Sequence, residues 1–371
     1  MHIKSYKMKK ILFFVQMPPP VHGAALSNRK VVNSKSLQSK FLTRLNAINF
    51  SRSLEEMQSN SSLKFLKIFV ILFRLVKDLI FFRPDVVYFS ISPIGSSFLR
   101  DVLFVSIIKI FRVKLLYHLH GKGIADIKSK PLLFIYRFVF RNSTVICLSE
   151  GLSKDIDHVK SNAVVEICPN GVSDSFYSKR DKVINLTFLS NLLPLKGVYV
   201  FLDAMTLLLE SGYDVEVNLA GPFNRKFSEQ DLELYLSRNS RLKSKIKVYG
   251  MVNEAQKKEL LAKTDILIHP TMNDAQPLVL IEAMAAGCFI ISTRQGGIPD
   301  ILDGQCFASL IDQADPKLVY EEVVEVIRDS DILERASKVA IDVFKDNYSD
   351  YVFENRMVSI FESVLENDKR N

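Results

Sequence analysis

The densest chemistry in the sequence lies in His269-Pro-Thr-Met-Asn-Asp-Ala-Gln-Pro-Leu-Val-Leu-Ile-Glu-Ala-Met-Ala-Ala-Gly287. Ile266–His269 reads as a buried strand, and the polar residues after it as a loop. A helix is predicted from near Pro277 to Gly287, because proline near a helix start and glycine past its end are the usual punctuation. Free amides at such a start, here those of Leu278 and Val279, suit a phosphate. Asp274, just before the helix, can reach polar hydroxyls, and Glu282, about one turn in, can accept hydrogen bonds from a ribose diol. The plainer alternative makes Asp274 a helix cap and Glu282 a solvated helix residue.

Other candidates are more scattered. Leu116-Tyr-His-Leu-His-Gly121 sets His118 and His120 on one face at the end of a predicted strand, where an imidazole can hydrogen-bond a ligand or serve only the core. Val15-Gln-Met-Pro-Pro-Pro-Val-His-Gly-Ala-Ala-Leu26 reads as a loop leading into a helix, with Gly23 permitting close backbone approach. Asp155-Ile-Asp157 and Asp329-Ser-Asp331 match the Asp-x-Asp form of metal-dependent transferases, but neither follows a strand; both read as solvated faces. The four cysteines, 147, 168, 288 and 306, lack metal-ligand spacing and read as buried thiols of a reducing compartment.

Elements able to position these groups alternate along the chain. Strands are predicted at Ile11–Val15, Val86–Ser90, Leu115–His118, Val145–Ser149 and Val164–Ile167. In the second half they fall at Asn185–Ser190, Glu216–Ala220, Lys247–Tyr249, Ile266–His269 and Phe289–Thr293. Helix-length segments lie between them, so the fold class is α/β with two Rossmann-like parallel-sheet domains. The join is placed near Asn170-Gly-Val-Ser-Asp174 and the charged Ser178-Lys-Arg-Asp-Lys182. A final amphipathic helix is expected over Tyr348–Glu366. Ligands should bind where the carboxyl ends of the two sheets face each other across a cleft.

Composition sets the surroundings. Of 371 residues, 48% are hydrophobic, which excludes a disordered chain. Residues 1–180 hold 28 Lys/Arg against 11 Asp/Glu (+17), and residues 181–371 hold 21 against 30 (−9), together the stated net +8. The first half therefore faces something anionic. No zinc, helix-turn-helix or RNP-type motif accompanies that charge, so nucleic acid is not expected. Leu63–Phe82, Phe98–Tyr117 and Pro131–Arg141 mix apolar residues with Lys and Arg, as a surface docking on an anionic membrane would. Leu63–Phe82 is too interrupted by charge to span a bilayer, and no export signal is read at the start, so the chain is expected to be cytoplasmic and peripheral on the membrane's inner face.

The 269–287 segment resembles the signature of glycosyltransferase family 4, Glu-Gly-x-Pro-(x)4-Glu-Ala-Met. Gly287-Cys-Phe-Ile-Ile-Ser-Thr-Arg-Gln-Gly-Gly-Ile-Pro-Asp300 resembles its Gly-x-Pro-Val-Val-(x)n-Gly-Gly-x-Pro-Glu run. Phe188-Leu-Ser-Asn-Leu-Leu-Pro-Leu-Lys-Gly197 resembles its phosphate-binding Gly-Arg-(x)4-Lys-Gly, while Ala220-Gly-Pro222 and Tyr249-Gly-Met-Val252 fall at family positions. The resemblance implies a GT-B fold, with an acceptor-side domain over 1–175, a nucleotide-sugar domain over 176–349 and a crossover helix over about 350–371. It implies that Lys196 contacts the donor diphosphate, that Glu282 binds the ribose, and that Asp274 with the backbone of Ala275 and Gln276 holds the sugar. Met251 and Val252 would line the base pocket, the Gly23 loop would approach the diphosphate, and His120 would lie near the reacting sugar. Two departures stand out: Asn191 replaces the arginine partner of the lysine, and Asp274 replaces a glutamate. Arg294 is a candidate for the missing charge.

The activity implied is retaining, metal-independent transfer of a hexosyl-type unit, without cofactor. Donor is a nucleotide sugar and acceptor a saccharide, lipid-linked, in bacterial surface polysaccharide assembly of the O-antigen or capsule kind. A non-catalytic nucleotide-sugar-binding protein and a GT-B nucleotide-sugar epimerase remain open alternatives.

Overall fold

The computed structural model describes residues 8–19, 22–49, 63–173 and 183–366. Most of the predicted join, 174–182, lies outside them, as do Pro20 and Val21 of the first loop and the last residues of the crossover segment. The chain divides into two compact units: residues 1–170 with 353–371, and residues 171–352.

Unit 1 is built on six parallel strands, β1 (Lys10–Val15), β2 (Leu42–Ala47), β3 (Val86–Phe89), β4 (Lys114–Leu119), β5 (Thr144–Cys147) and β6 (Val164–Ile167), in the order β2-β1-β3-β4-β5-β6. An unbroken apolar run such as Ile11-Leu-Phe-Phe-Val15 forms a strand buried on both faces, since crossover helices cover each side of a parallel sheet. Ile11, Phe13 and Val15 enter a core with helix Gly23–Asn33 and with Phe353, Met357 and Phe361 of helix Asp350–Glu366. Leu12 and Phe14 enter the opposite core, closed by helices Leu63–Lys77, Gly95–Ile110 and Lys130–Phe140.

Unit 2 carries β7 (Ile184–Leu189), β8 (Val215–Ala220), β9 (Ile246–Gly250), β10 (Ile266–His269), β11 (Phe289–Thr293) and β12 (Ala308–Ile311), in the order β12-β11-β10-β7-β8-β9. All its pairings are parallel. Read from β9, that is third-second-first-fourth-fifth-sixth, the dinucleotide-binding order, whose ligands sit where the chain reverses direction across the sheet. The reversal falls between β7 and β10. Val172 and Ser349 pair as an isolated bridge, and the Asp350 amide donates to the Val172 carbonyl (2.9 Å), so the entry and exit of unit 2 are tied together.

All ten predicted strands are present. Two more, β2 and β12, lie at sheet edges. Cys147, Cys168 and Cys288 are buried, but Cys306 is exposed, in the turn between Ile298–Leu302 and β12. Among the described residues no helix is long and apolar enough to cross a membrane.

Candidate active site

The loops after β7 and β10 meet at the reversal point of unit 2. The chain leaves β7 through Asn191 into a single turn, Pro194–Lys196, and Gly197 then takes a φ of 84°. A Cβ at Gly197 would stand 2.1 Å from the Pro270 carbonyl oxygen, so only glycine lets the two loops close. The Met272 amide donates to the Leu195 carbonyl (2.9 Å), stitching them.

This seam places Lys196 against Asp274. The ammonium donates to Asp274 Oδ2 (2.5 Å) and to the Asn273 carbonyl (3.0 Å). His269, at the end of β10 and buried, has Nε2 3.2 Å from the same carboxylate oxygen, and its Nδ1 is shielded from solvent with no hydrogen-bond partner. Burial alone would raise the Asp274 pKa, but the His269 hydrogen bond and the Lys196 charge outweigh it and hold the carboxyl below its usual range. An ammonium and a fixed anion thus share the ligand position of the sheet.

The next residues follow the same logic. Ala275 is held from β11: the Gly297 amide donates to its carbonyl (2.7 Å), and a Cβ on Gly296 would stand 2.2 Å from the Asp274 carbonyl oxygen. Gln276 is buried. Helix Leu278–Ala285 then opens behind Pro277 without a capping side chain, so Asp274 is not its cap. That leaves Leu278 and Val279 at a helix start with the dipole's positive end outward. Glu282 is buried, not solvated, and its carboxylate accepts from Lys257 Nζ (2.6 Å) on helix Glu254–Lys263. Desolvation pulls the Lys257 pKa down, yet Glu282 and Glu254 together raise it above its usual value.

Not every expected residue joins this seam. Met251 and Val252 follow β9 at the same carboxyl edge, two strands from β7, with Met251 exposed. Asn191 is exposed beside the Lys196 turn. Arg294 does not replace the missing arginine charge: its guanidinium is committed to Asp303 (2.9 Å) and Asp312 (3.2 Å). Sequence patterning assigns Lys257 and His269 no role in the site, because their pairing with Glu282 and Asp274 depends on chain crossings that periodicity does not encode.

Unit 1 has its own reversal point, between β1 and β3, and a cavity of about 210 Å³ lies there, lined by Gln16, His22, Asn28, Ser92, Arg100 and His120 among others. His22 caps helix Gly23–Asn33 through Nδ1, so Gly23 is the first helical residue rather than part of the loop. His118 Nδ1 lies 2.6 Å from the Tyr88 hydroxyl, and its ring centroid lies 4.0 Å from that of His120, the two planes tilted by 34°. The Nε2 atoms of His22, His118 and His120 are shielded from solvent without hydrogen-bond partners. Burial keeps all three imidazoles neutral, lowering His118 well below the usual value and His120 to about 3. They can exchange hydrogen bonds with hydroxyls but are poor acids. The Asp-x-Asp at 155 is structural: Asp155 accepts from the amides of Gly123, Ile124 and Ala125 (2.9–3.1 Å). Asp329 caps helix Ser330–Asn347.

Two six-stranded parallel sheets with sites at their reversal points are the GT-B arrangement, and solved structures agree. The crystal structure of Anabaena Alr3699/HepE in complex with UDP matches with a TM-score of 0.75 at 18% identity, covering 95% of this chain and 100% of that one. A glycosyltransferase from Rickettsia africae matches with a TM-score of 0.75 at 16% identity, covering 98% and 100%. The chain has the GT-B fold. Residues 184–329 match the family model described as "Glycosyl transferases group 1". Relatives include the phosphatidylinositol N-acetylglucosaminyltransferase GPI3 subunit of Saccharomyces cerevisiae, 28% identical over 183 residues, or 48% of this chain and 39% of that one. The N-acetyl-alpha-D-glucosaminyl L-malate synthase of Bacillus anthracis is 25% identical over 275 residues, 70% of each chain. The chain thus spans well under half of the yeast relative's length.

Proposed function

We infer that the protein transfers a sugar from a nucleotide-sugar donor to a saccharide acceptor, with retention at the anomeric carbon. The observation that carries this reading is the Lys196–Asp274 pair at the reversal point of unit 2, one loop before an uncapped helix start. A diphosphate there meets the Lys196 ammonium and the amides of Leu278 and Val279. Asp274 and the backbone of Ala275 and Gln276 hold the sugar hydroxyls, and Glu282, oriented by Lys257, takes the ribose. The acceptor oxygen forms its bond to the anomeric carbon as the bond to the diphosphate breaks, and the acceptor proton passes to the departing phosphate oxygen. No protein carboxylate serves as nucleophile, and no metal is required.

Structures of the same fold with UDP and with UDP-glucose bound support a nucleotide-sugar donor. For the acceptor we favour a lipid-linked saccharide of bacterial surface polysaccharide assembly, consistent with a relative named as a putative colanic acid biosynthesis glycosyltransferase. His120, neutral in its pocket, hydrogen-bonds a sugar hydroxyl. A thermal-shift screen of UDP- and GDP-sugars, followed by turnover assays with and without EDTA, tests the reading. Stabilisation and EDTA-resistant transfer are expected. Donor binding with no transfer or hydrolysis on any acceptor would overturn it.

A further inference from the structure

We propose that unit 1 docks on an anionic lipid bilayer through the outer face of three helices: Leu63–Lys77 with its π-helical continuation Asp78–Phe82, Gly95–Ile110 and Lys130–Phe140. All three cover one face of the unit 1 sheet, and the middle one touches both others. Their inner sides are ordinary, with Ile71, Leu75, Phe104, Ile108, Tyr136 and Phe140 in the core. A surface helix normally turns polar residues outward. These helices turn out Phe73 (72% exposed), Phe81 (74%), Ile110 (76%) and Phe134 (74%). Exposed Phe69, Leu99, Leu103 and Phe138 extend the same stripes at a spacing of four residues, so each helix shows one apolar edge to solvent. On the opposite side of the sheet, helix Gly23–Asn33 and residues 353–365 form the cover, and no comparable stripe is found there among the described residues.

Charge selects the occupant. Residues 67–141 hold thirteen Lys/Arg, four Asp and no Glu. Asp101 is buried against Arg100, Asp78 pairs with Arg44, and Asp85 with Lys9. Arg74, Lys77, Arg112, Lys130, Arg137 and Arg141 are exposed on or beside the apolar stripes. A second copy seated on this face would set like charges together. A neutral apolar partner would leave the cations uncompensated. An anionic bilayer satisfies both, taking the rings at the acyl boundary while the long basic side chains reach headgroups. The inference goes beyond sugar transfer and stands whether or not transfer occurs.

Flotation tests it without donor or acceptor. The full chain is mixed with vesicles of phosphatidylcholine containing phosphatidylglycerol, or of phosphatidylcholine alone, and centrifuged at low and at high salt. Recovery with anionic vesicles only, weakened by salt, is expected. Phe73→Glu with Phe134→Glu should lower the partition roughly tenfold or more, while circular dichroism and melting stay unchanged, because both side chains are exposed. No recovery of the wild type, or equal recovery with neutral vesicles, overturns the proposal. So does a double variant that floats as well as the wild type. A wild type that dimerises through these residues, by light scattering, and ignores vesicles assigns the face to a second copy instead.

Discussion

Acid should unfold unit 1 through its histidines. His118 and His120 are held neutral by burial, with His120 reaching about 3 and His118 lying well below its usual value. An imidazole in the unfolded chain protonates near pH 6.5. Between that value and the depressed native one, the unfolded state binds a proton that the folded state refuses. Stability is therefore fully present above about pH 6.5 and falls as pH drops toward the native pKa. From pH 7 to pH 5 the His120 imidazole removes about 2 kcal/mol, and His118 acts in the same direction. A loss of that size is a large part of the 5–15 kcal/mol typical of a domain. Urea unfolding at pH 7, 6 and 5, with hydrogen exchange of peptides from β3 and β4, isolates unit 1. His118→Asn with His120→Asn should start less stable but lose less over the same range, by about 2 kcal/mol or more, because carboxylates titrate in both proteins. Equal pH slopes for wild type and variant would refute the claim that these rings stay neutral in the fold.

Lys196→Ala should lower kcat roughly a hundredfold to a thousandfold with the fold intact, since it removes a charge aimed at the leaving group; steady-state kinetics check this, and wild-type turnover would take Lys196 out of the site. Gly197→Ala places a Cβ against the Pro270 carbonyl and strains a left-handed φ. A loss of about 2 kcal/mol or more by chemical denaturation is expected, with poorer donor binding. Lys257→Met leaves the buried Glu282 carboxylate without its main cation and should cost about 3–5 kcal/mol, whereas Lys257→Met with Glu282→Leu should regain much of it. If the double variant is as unstable as the single one, the pair is not what holds this corner.

Much of this architecture was legible because central parallel strands are apolar on both faces. Phe289-Ile-Ile-Ser-Thr293 and Ile11-Leu-Phe-Phe-Val15 announce themselves by burial alone. The two missed strands are edges, where only one neighbour pairs and polar residues are tolerated: Thr43, Arg44 and Asn46 in β2, and the four-residue Ala308–Ile311. Asp274 and Glu282 were readable as candidates because proline and glycine punctuate their helix. Their partners were not. Lys257 reaches Glu282 across 25 positions, and nothing in the local pattern of helix Glu254–Lys263 marks one lysine among its several. Arg294 failed for the same reason, since two aspartates that only tertiary structure brings near already hold it. The Gly296-Gly297 pair gained its meaning only when the Asp274–Ala275 backbone was found lying against it.

Helix Asp350–Glu366 has a consequence for how the molecule is made. Unit 2 is one continuous stretch of chain, but the layer that covers Phe13, Tyr88 and Leu116 of unit 1 comes from residues 353–365, which leave the ribosome only after all of unit 2. The half that is translated first is thus the half that is sealed last. Until then that side of its sheet has only the N-terminal cover of helix Gly23–Asn33 and its neighbours, and the apolar surface that Phe353, Met357 and Phe361 will occupy stays wet.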